Sequence, residues 1–385
     1  MAYEIDRIPV TVVFQDKSGF KETYGGSQDW VLCEGQHLRP KGAPPSKTVL
    51  IFMHPSGVMN HLPMPAALAK AGIPVMTCGS RYPHNDTALI MEKVAIDLGH
   101  YVRHAREVLG YEKVVLAGWS GGGSLSLFYQ AQAEKPWIEA TPAGDPVDLK
   151  GAGLIPADGV LQLAAHVSRA ITLSEWIDPA ILDERDPERR DPALDIYGEP
   201  PGALPPYDLD FQATYRAAQK ARIDRITADV CQRLEDFRKK GLTHREHCFV
   251  VHGTMADLRW LDPAIDPNGR RPGWCYMGDP RVVNHSPAHL ARYSSLRSWL
   301  SQWSAGSRAD GPACAAHVSV PALVVENTAD DACTPSHAAR IVAGFRQVTP
   351  AFHRIEGATH YYFGQPDKLA AARDLVIDWL QRNGF

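Results

Sequence analysis

A chain of 385 residues, 44% hydrophobic and 22% charged, has the ordinary globular mix and the length for two or three structural units. Its net charge of -4, with a pI near 6.5, gives no electrostatic case for nucleic acid or a membrane surface as partner. The opening MAYEIDRIPVTVVF lacks the basic and apolar regions of a signal peptide, and no apolar run approaches the ~20 residues of a transmembrane helix.

In chain order, residues 9–15 and 30–34 read as an antiparallel lead-in. TVLIFMHP (48–55), IPVMTCG (73–79), KVVLAGW (113–119) and LKGAGLIPA (149–157) read as buried strands, because continuous apolarity suits strands covered on both faces. A helix is predicted over about 87–109, stopped by Gly110. PALVVEN (321–327) and AFHRIEG (351–357) are further strands, with helices opening at Thr334-Pro335 and Gln365-Pro366. Strand–helix alternation predicts an α/β core with a mostly parallel central sheet and helices on both faces.

Between these blocks, about 159–312, the composition changes. Proline-rich connectors at 183–192 and 197–208 precede a long helix carrying Phe211, Tyr215, Ile223, Ile226, Val230 and Phe237. A second helix is expected from Ser286-Pro287, with Leu290, Tyr293, Leu296, Leu300 and Trp303 on one face. The organisation predicted is a core over 1–158 and 313–385, interrupted by a mainly helical cap over 159–312. Seven cysteines (Cys33, Cys78, Cys231, Cys248, Cys275, Cys314 and Cys333), without a C-x-x-C pair, read as reduced cytoplasmic thiols.

Gly118-Trp119-Ser120-Gly121-Gly122 lies between a strand and a helix, the context of a nucleophile elbow. Glycines beside the serine relieve crowding, and the helix N-terminus faces developing negative charge. A serine nucleophile needs an adjacent base, itself oriented by a third group. Here the chain resembles the α/β-hydrolase family, whose order is Ser, then Asp or Glu, then His. ALVVENTADDACTP (322–335) is similar to its acid-bearing loop and IEGATHYYFG (355–364) to its histidine loop. The resemblance implies a triad of Ser120, Asp330 and His360. Asp331, Glu326 and Asp158 are rival acids.

An oxyanion hole needs two N–H donors. The resemblance implies Gly121 for one and the loop His54-Pro55-Ser56-Gly57 for the other. The family often shows His-Gly there, and proline has no N–H, so Ser56 is the candidate, with Gly57 behind it. His54 and His61 are read as holding that loop or touching substrate, and Arg81 as a structural ion pair or a carboxylate anchor. His100 and His104 have zinc-like spacing but no third ligand, and read as a partly exposed helix face.

The implied chemistry is acyl transfer without cofactor or metal, on a small-molecule ester or thioester. The group held would be hydrophobic or aromatic, since the insertion carries Trp176, Trp260, Trp274, Tyr276, Tyr293, Trp299 and Trp303. Its size also suits contact between copies of the chain. Cleavage of carbon–carbon bonds in ring-cleavage diketones, acyl transfer to an alcohol, and ligand binding without turnover are the alternatives.

Overall fold

The computed structural model describes residues 2–17, 22 and 29–385. Among the described residues ten strands are formed: β1 Ile5–Gln15, β2 Trp30–Pro40, β3 Thr48–Met53, β4 Val75–Cys78, β5 Lys113–Ser120, β6 Gly159–Ala165, β7 Cys248–Val250, β8 Tyr293–Ser295, β9 Ala322–Asn327 and β10 Ala351–Ile355. Eight make one sheet in the order β1-β2-β4-β3-β5-β6-β9-β10. From β4 to β10 all pairs are parallel, whereas β2 runs antiparallel to both neighbours.

Side-chain patterning follows from these positions. The six residues of β3, TVLIFM, are all buried, as are those of β6 and β9, because helices cover both faces. The C-terminal half of β1 instead alternates exposed and buried residues. One apolar cluster packs helices Met91–Glu107 and Gly121–Glu134 on one face. A second packs helices Pro63–Lys70 and Pro366–Arg382 on the other.

The fourth predicted core strand lies elsewhere. Residues 149–157 form turns and loop, and the strand beside β5 is Gly159–Ala165. The run is anchored without a ladder, only its end residues Leu149 and Ala157 being buried: Tyr129 donates to the carbonyl of Ile155, and the Gln130 side chain exchanges hydrogen bonds with Ala157. The real strand, GVLQLAA, carries Gln162 at its centre, and Ser126 accepts a hydrogen bond from it at 2.8 Å. The long insertion into the sheet therefore begins after Ala165, seven residues later than the predicted boundary of 159.

Within the insertion, helix Leu209–Lys239 runs for 31 residues, capped by Asp208, whose side chain accepts from Phe211 N. Strands β7 and β8 pair as a short antiparallel ribbon. The helix expected from Ser286 starts instead at Leu296 and ends at Gln302, because Tyr293–Ser295 is drawn into that ribbon and Ser295 caps the helix. Trp299 and Trp303 stack at 5.1 Å inside the insertion's own core. Among the described residues all seven cysteines are free, and no helix is long and apolar enough to cross a membrane.

Candidate active site

Ser120 ends β5 with φ 52° and ψ −125°, a left-handed conformation that a serine adopts only where its surroundings enforce it. The glycines around it permit the turn. A Cβ on Gly122 would lie 2.3 Å from the carbonyl oxygen of Met53, and one on Gly123 would lie 2.4 Å from Ala165 Cβ. The carbonyl of Ser120 accepts from His166 N at 3.0 Å, which ties the elbow to the end of β6. Helix Gly121–Glu134 starts at once, leaving the first-turn N–H groups without intrahelical acceptors.

The acid loop follows β9. Asp330 is fully buried, and its Oδ1 accepts from the backbone of Ala332 at 2.7 Å and Cys333 at 2.8 Å. Its Oδ2 meets His360 Nδ1 at 2.8 Å. His360 follows β10 and is buried, with Trp119 edge-on to it at 6.1 Å and His166 at 6.4 Å. Burial alone would lower the His360 pKa. The Asp330 charge and hydrogen bond outweigh it and hold the imidazole above its ordinary value. The Ser120 hydroxyl lies within hydrogen-bonding reach of Cys333, whose thiol burial pushes well above the usual range.

The rival acids are placed apart. Asp158 precedes β6, at the sheet end opposite Ser120, where it accepts from Arg106 at 2.8 Å and Val114 N at 2.7 Å. Glu326 pairs with Arg354 at 3.2 Å. Asp331 is raised to about 6 by burial and by the Asp330 charge, with His360 opposing. Arg81 is a structural ion pair, its Nε and Nη2 donating to Asp97 at 2.9 and 2.7 Å. His61 is exposed, and His100 stacks on Phe14 with ring centroids 3.7 Å apart.

Gly121 opens the helix directly after Ser120, whereas the Ser56 amide is directed within its own loop. Its N–H points to His54 Nδ1 at 3.2 Å, and that of Gly57 reaches the same nitrogen at 2.7 Å. With Pro55 between them, the sequence assigned a donor to a loop that folds onto its own histidine.

Of the insertion aromatics, Tyr276 reaches the histidine, and a further histidine that the sequence left unassigned stands beside them. Tyr276 stands over His360 at 6.2 Å and packs on Trp176 at 5.7 Å. Trp176 in turn meets Trp260 at 5.3 Å and His166 at 5.5 Å. Burial first, then the neighbouring His337 and His360, push the His166 pKa well below its usual value. His166 was missed because the strand before it was misplaced: a residue closing the strand beside the elbow is a site candidate by position.

No protein-family model matches the sequence, and no curated protein does. Solved structures do match over nearly the whole chain. DcsB, determined with its substrate analogue, is 12% identical, covering 97% of this chain and 99% of its own, with a TM-score of 0.50. The hypothetical protein PA2218 from Pseudomonas aeruginosa is 11% identical over 96% and 93%, with a TM-score of 0.49. Est1E from Butyrivibrio proteoclasticus is 12% identical over 91% and 96%, with a TM-score of 0.46. The likeness to DcsB shows a shared fold.

Proposed function

We propose that this chain, which has the α/β-hydrolase fold, is a serine hydrolase acting through an acyl-enzyme on an ester or thioester with an apolar or aromatic group. The observation that carries the reading is the buried 2.8 Å hydrogen bond between His360 Nδ1 and Asp330 Oδ2, at strand ends beside the elbow that presents Ser120. An imidazole held at Nδ1 by a buried carboxylate keeps Nε2 as the acceptor for a serine proton.

In this reading Ser120 Oγ bonds the carbonyl carbon while His360 Nε2 takes its proton. The carbonyl π pair moves to oxygen, which Gly121 N–H receives. The pair then re-forms the carbonyl, and the leaving group departs with the proton from His360. Water repeats the sequence on the acyl-enzyme. Tyr276 packs on His360, with the buried rings of Trp176 and Trp260 behind it, an apolar surround that favours an apolar acyl group and excludes water.

The test is labelling with a fluorophosphonate. Wild type is expected to form an adduct on Ser120, with Ser120→Ala and His360→Ala variants of native fold unlabelled. Wild type that stays unlabelled while hydrolysing no p-nitrophenyl ester or thioester would overturn the reading.

A further inference from the structure

His54 follows β3, and its imidazole is held at Nδ1 while Nε2 faces Gly121. Nδ1 accepts the backbone N–H of Gly57 at 2.7 Å and of Ser56 at 3.2 Å. A ring nitrogen that accepts carries no proton, so in the neutral imidazole the proton is on Nε2. Burial, then the Arg169 guanidinium and His360, push the pKa down to about 3, so the ring stays neutral across the physiological range. The position of Nε2 is set by close packing beside the residue after Ser120. Nε2 lies 2.6 Å from where a Cβ on Gly121 would stand, an approach open only because residue 121 is glycine. Meanwhile the amides of Ser56 and Gly57 are both taken by Nδ1, and Pro55 has none.

We propose that His54 is a further catalytic residue, whose Nε2–H is the second oxyanion donor beside the Gly121 amide. The assignment rests on the Ser120 acyl-enzyme reading. As Ser120 attacks, the carbonyl oxygen gains its charge between two donors, each required within about 3 Å of it. His54 lends a hydrogen bond and keeps its proton; proton transfer belongs to His360 alone. The loop amides then have a different task, which is to select the tautomer of the donor. Neutral imidazole used in this way is an established catalytic device.

Two substitutions separate the two ends of the ring. His54→Asn keeps a carbonyl acceptor near the Nδ1 position, so the loop amides remain bonded, but it has no donor where Nε2 stood. His54→Gln reaches a donor toward the Nε2 position. With a p-nitrophenyl ester, H54N is expected to fold with nearly unchanged thermal stability and to lose about 10²–10³-fold in kcat at similar KM. H54Q is expected to retain more kcat than H54N. Affinity for benzeneboronic acid, whose serine adduct is an anionic tetrahedron, is expected to fall in H54N by a comparable factor. In wild type, nitrogen-15 shifts are expected to report the Nε2–H tautomer.

A folded H54N with kcat within about threefold of wild type overturns the assignment, and so does an Nδ1–H tautomer. Should H54N fail to fold, the wild-type tautomer decides. If Ser120→Ala turns over like wild type, the serine reading and this one fall together. If Ser120→Ala is inactive and H54N is not, the His54 assignment falls alone.

Discussion

Asn268 donates its side-chain amide to the backbone carbonyl of Asp330 at 2.7 Å. Two more bonds run the same way from the insertion to the acid loop. Trp260 Nε1 donates to the carbonyl of Asp331 and Gly269 N to that of Thr328, both at 2.7 Å. The carboxylate that orients His360 is thus positioned by residues lying more than sixty positions earlier in the chain. Asn268→Ala is expected to cost about 1 kcal/mol of stability. It should also lower kcat several-fold with less effect on KM, which steady-state kinetics and thermal unfolding would measure together. Equal activity in a folded variant would show that the loop holds itself.

The acid limb of the pH profile follows from His360. A general base works as the neutral imidazole, and Asp330 favours the charged form, so higher pH is needed to free it. The kcat/KM profile is expected to rise through an apparent pKa above 6.5, and Asp330→Asn to move that limb downward. For stability, a raised folded-state pKa contributes below the unfolded value and is lost as pH rises through the folded one. Denaturant melts of wild type and D330N across pH 5–9 would read that difference.

The two adjacent acids should separate cleanly. Asp330→Asn presents His360 with the wrong hydrogen-bond partner and is expected to lower kcat by about 10⁴-fold. Asp331→Asn removes a half-buried carboxyl that is raised to about 6, and is expected to leave kcat within about tenfold. Comparable losses in both would refute the assignment of the acid.

Gly122 is fixed by its backbone neighbours. A Cβ there would stand 2.3 Å from Met53 O, and backbone yields less readily than a side chain. Gly122→Ala is expected to destabilise by about 2 kcal/mol or more and to distort the elbow, visible as a lowered Tm and slower fluorophosphonate labelling.

Glu175 joins the insertion to the core by accepting from Arg259 at 2.5 Å and meeting His337 Nε2 at 3.1 Å. Burial opposes its charge, but Arg259 and His337 hold the carboxyl well below its ordinary value. Its contribution to stability is therefore present above pH 4.5 and fades as pH falls toward the folded-state pKa. Glu175→Gln removes one charge partner from the buried Arg259, leaving Asp257, and is expected to cost about 2 kcal/mol at neutral pH, with the difference shrinking in acid.

The sheet and the elbow were legible because their determinants are local. Unbroken apolar runs mark β3, β5 and β9, and Ser120 lies where a strand meets a helix. Asp330 and His360 were legible through order and loop chemistry, although their 2.8 Å contact is tertiary. What misled was apolarity with another cause. LKGAGLIPA buries only its ends and is anchored by bonding to Tyr129 and Gln130, while Gln162 interrupts the apolar pattern of the true strand. The direction of the Ser56 amide is something composition does not carry, because it is set by the ring two residues before it.

Because the insertion grips the acid loop, it is a poor candidate for a door. Swinging it away as one body between turnovers would release Trp260 and Asn268 and disarm the carboxylate that orients His360. Tyr361 stands 4.6 Å from the His360 ring and 5.6 Å from that of Phe363, which is 80% exposed. The large exposed ring near His360 thus lies on the histidine's own loop and not on the insertion, so the insertion can stay seated while that ring turns in solvent.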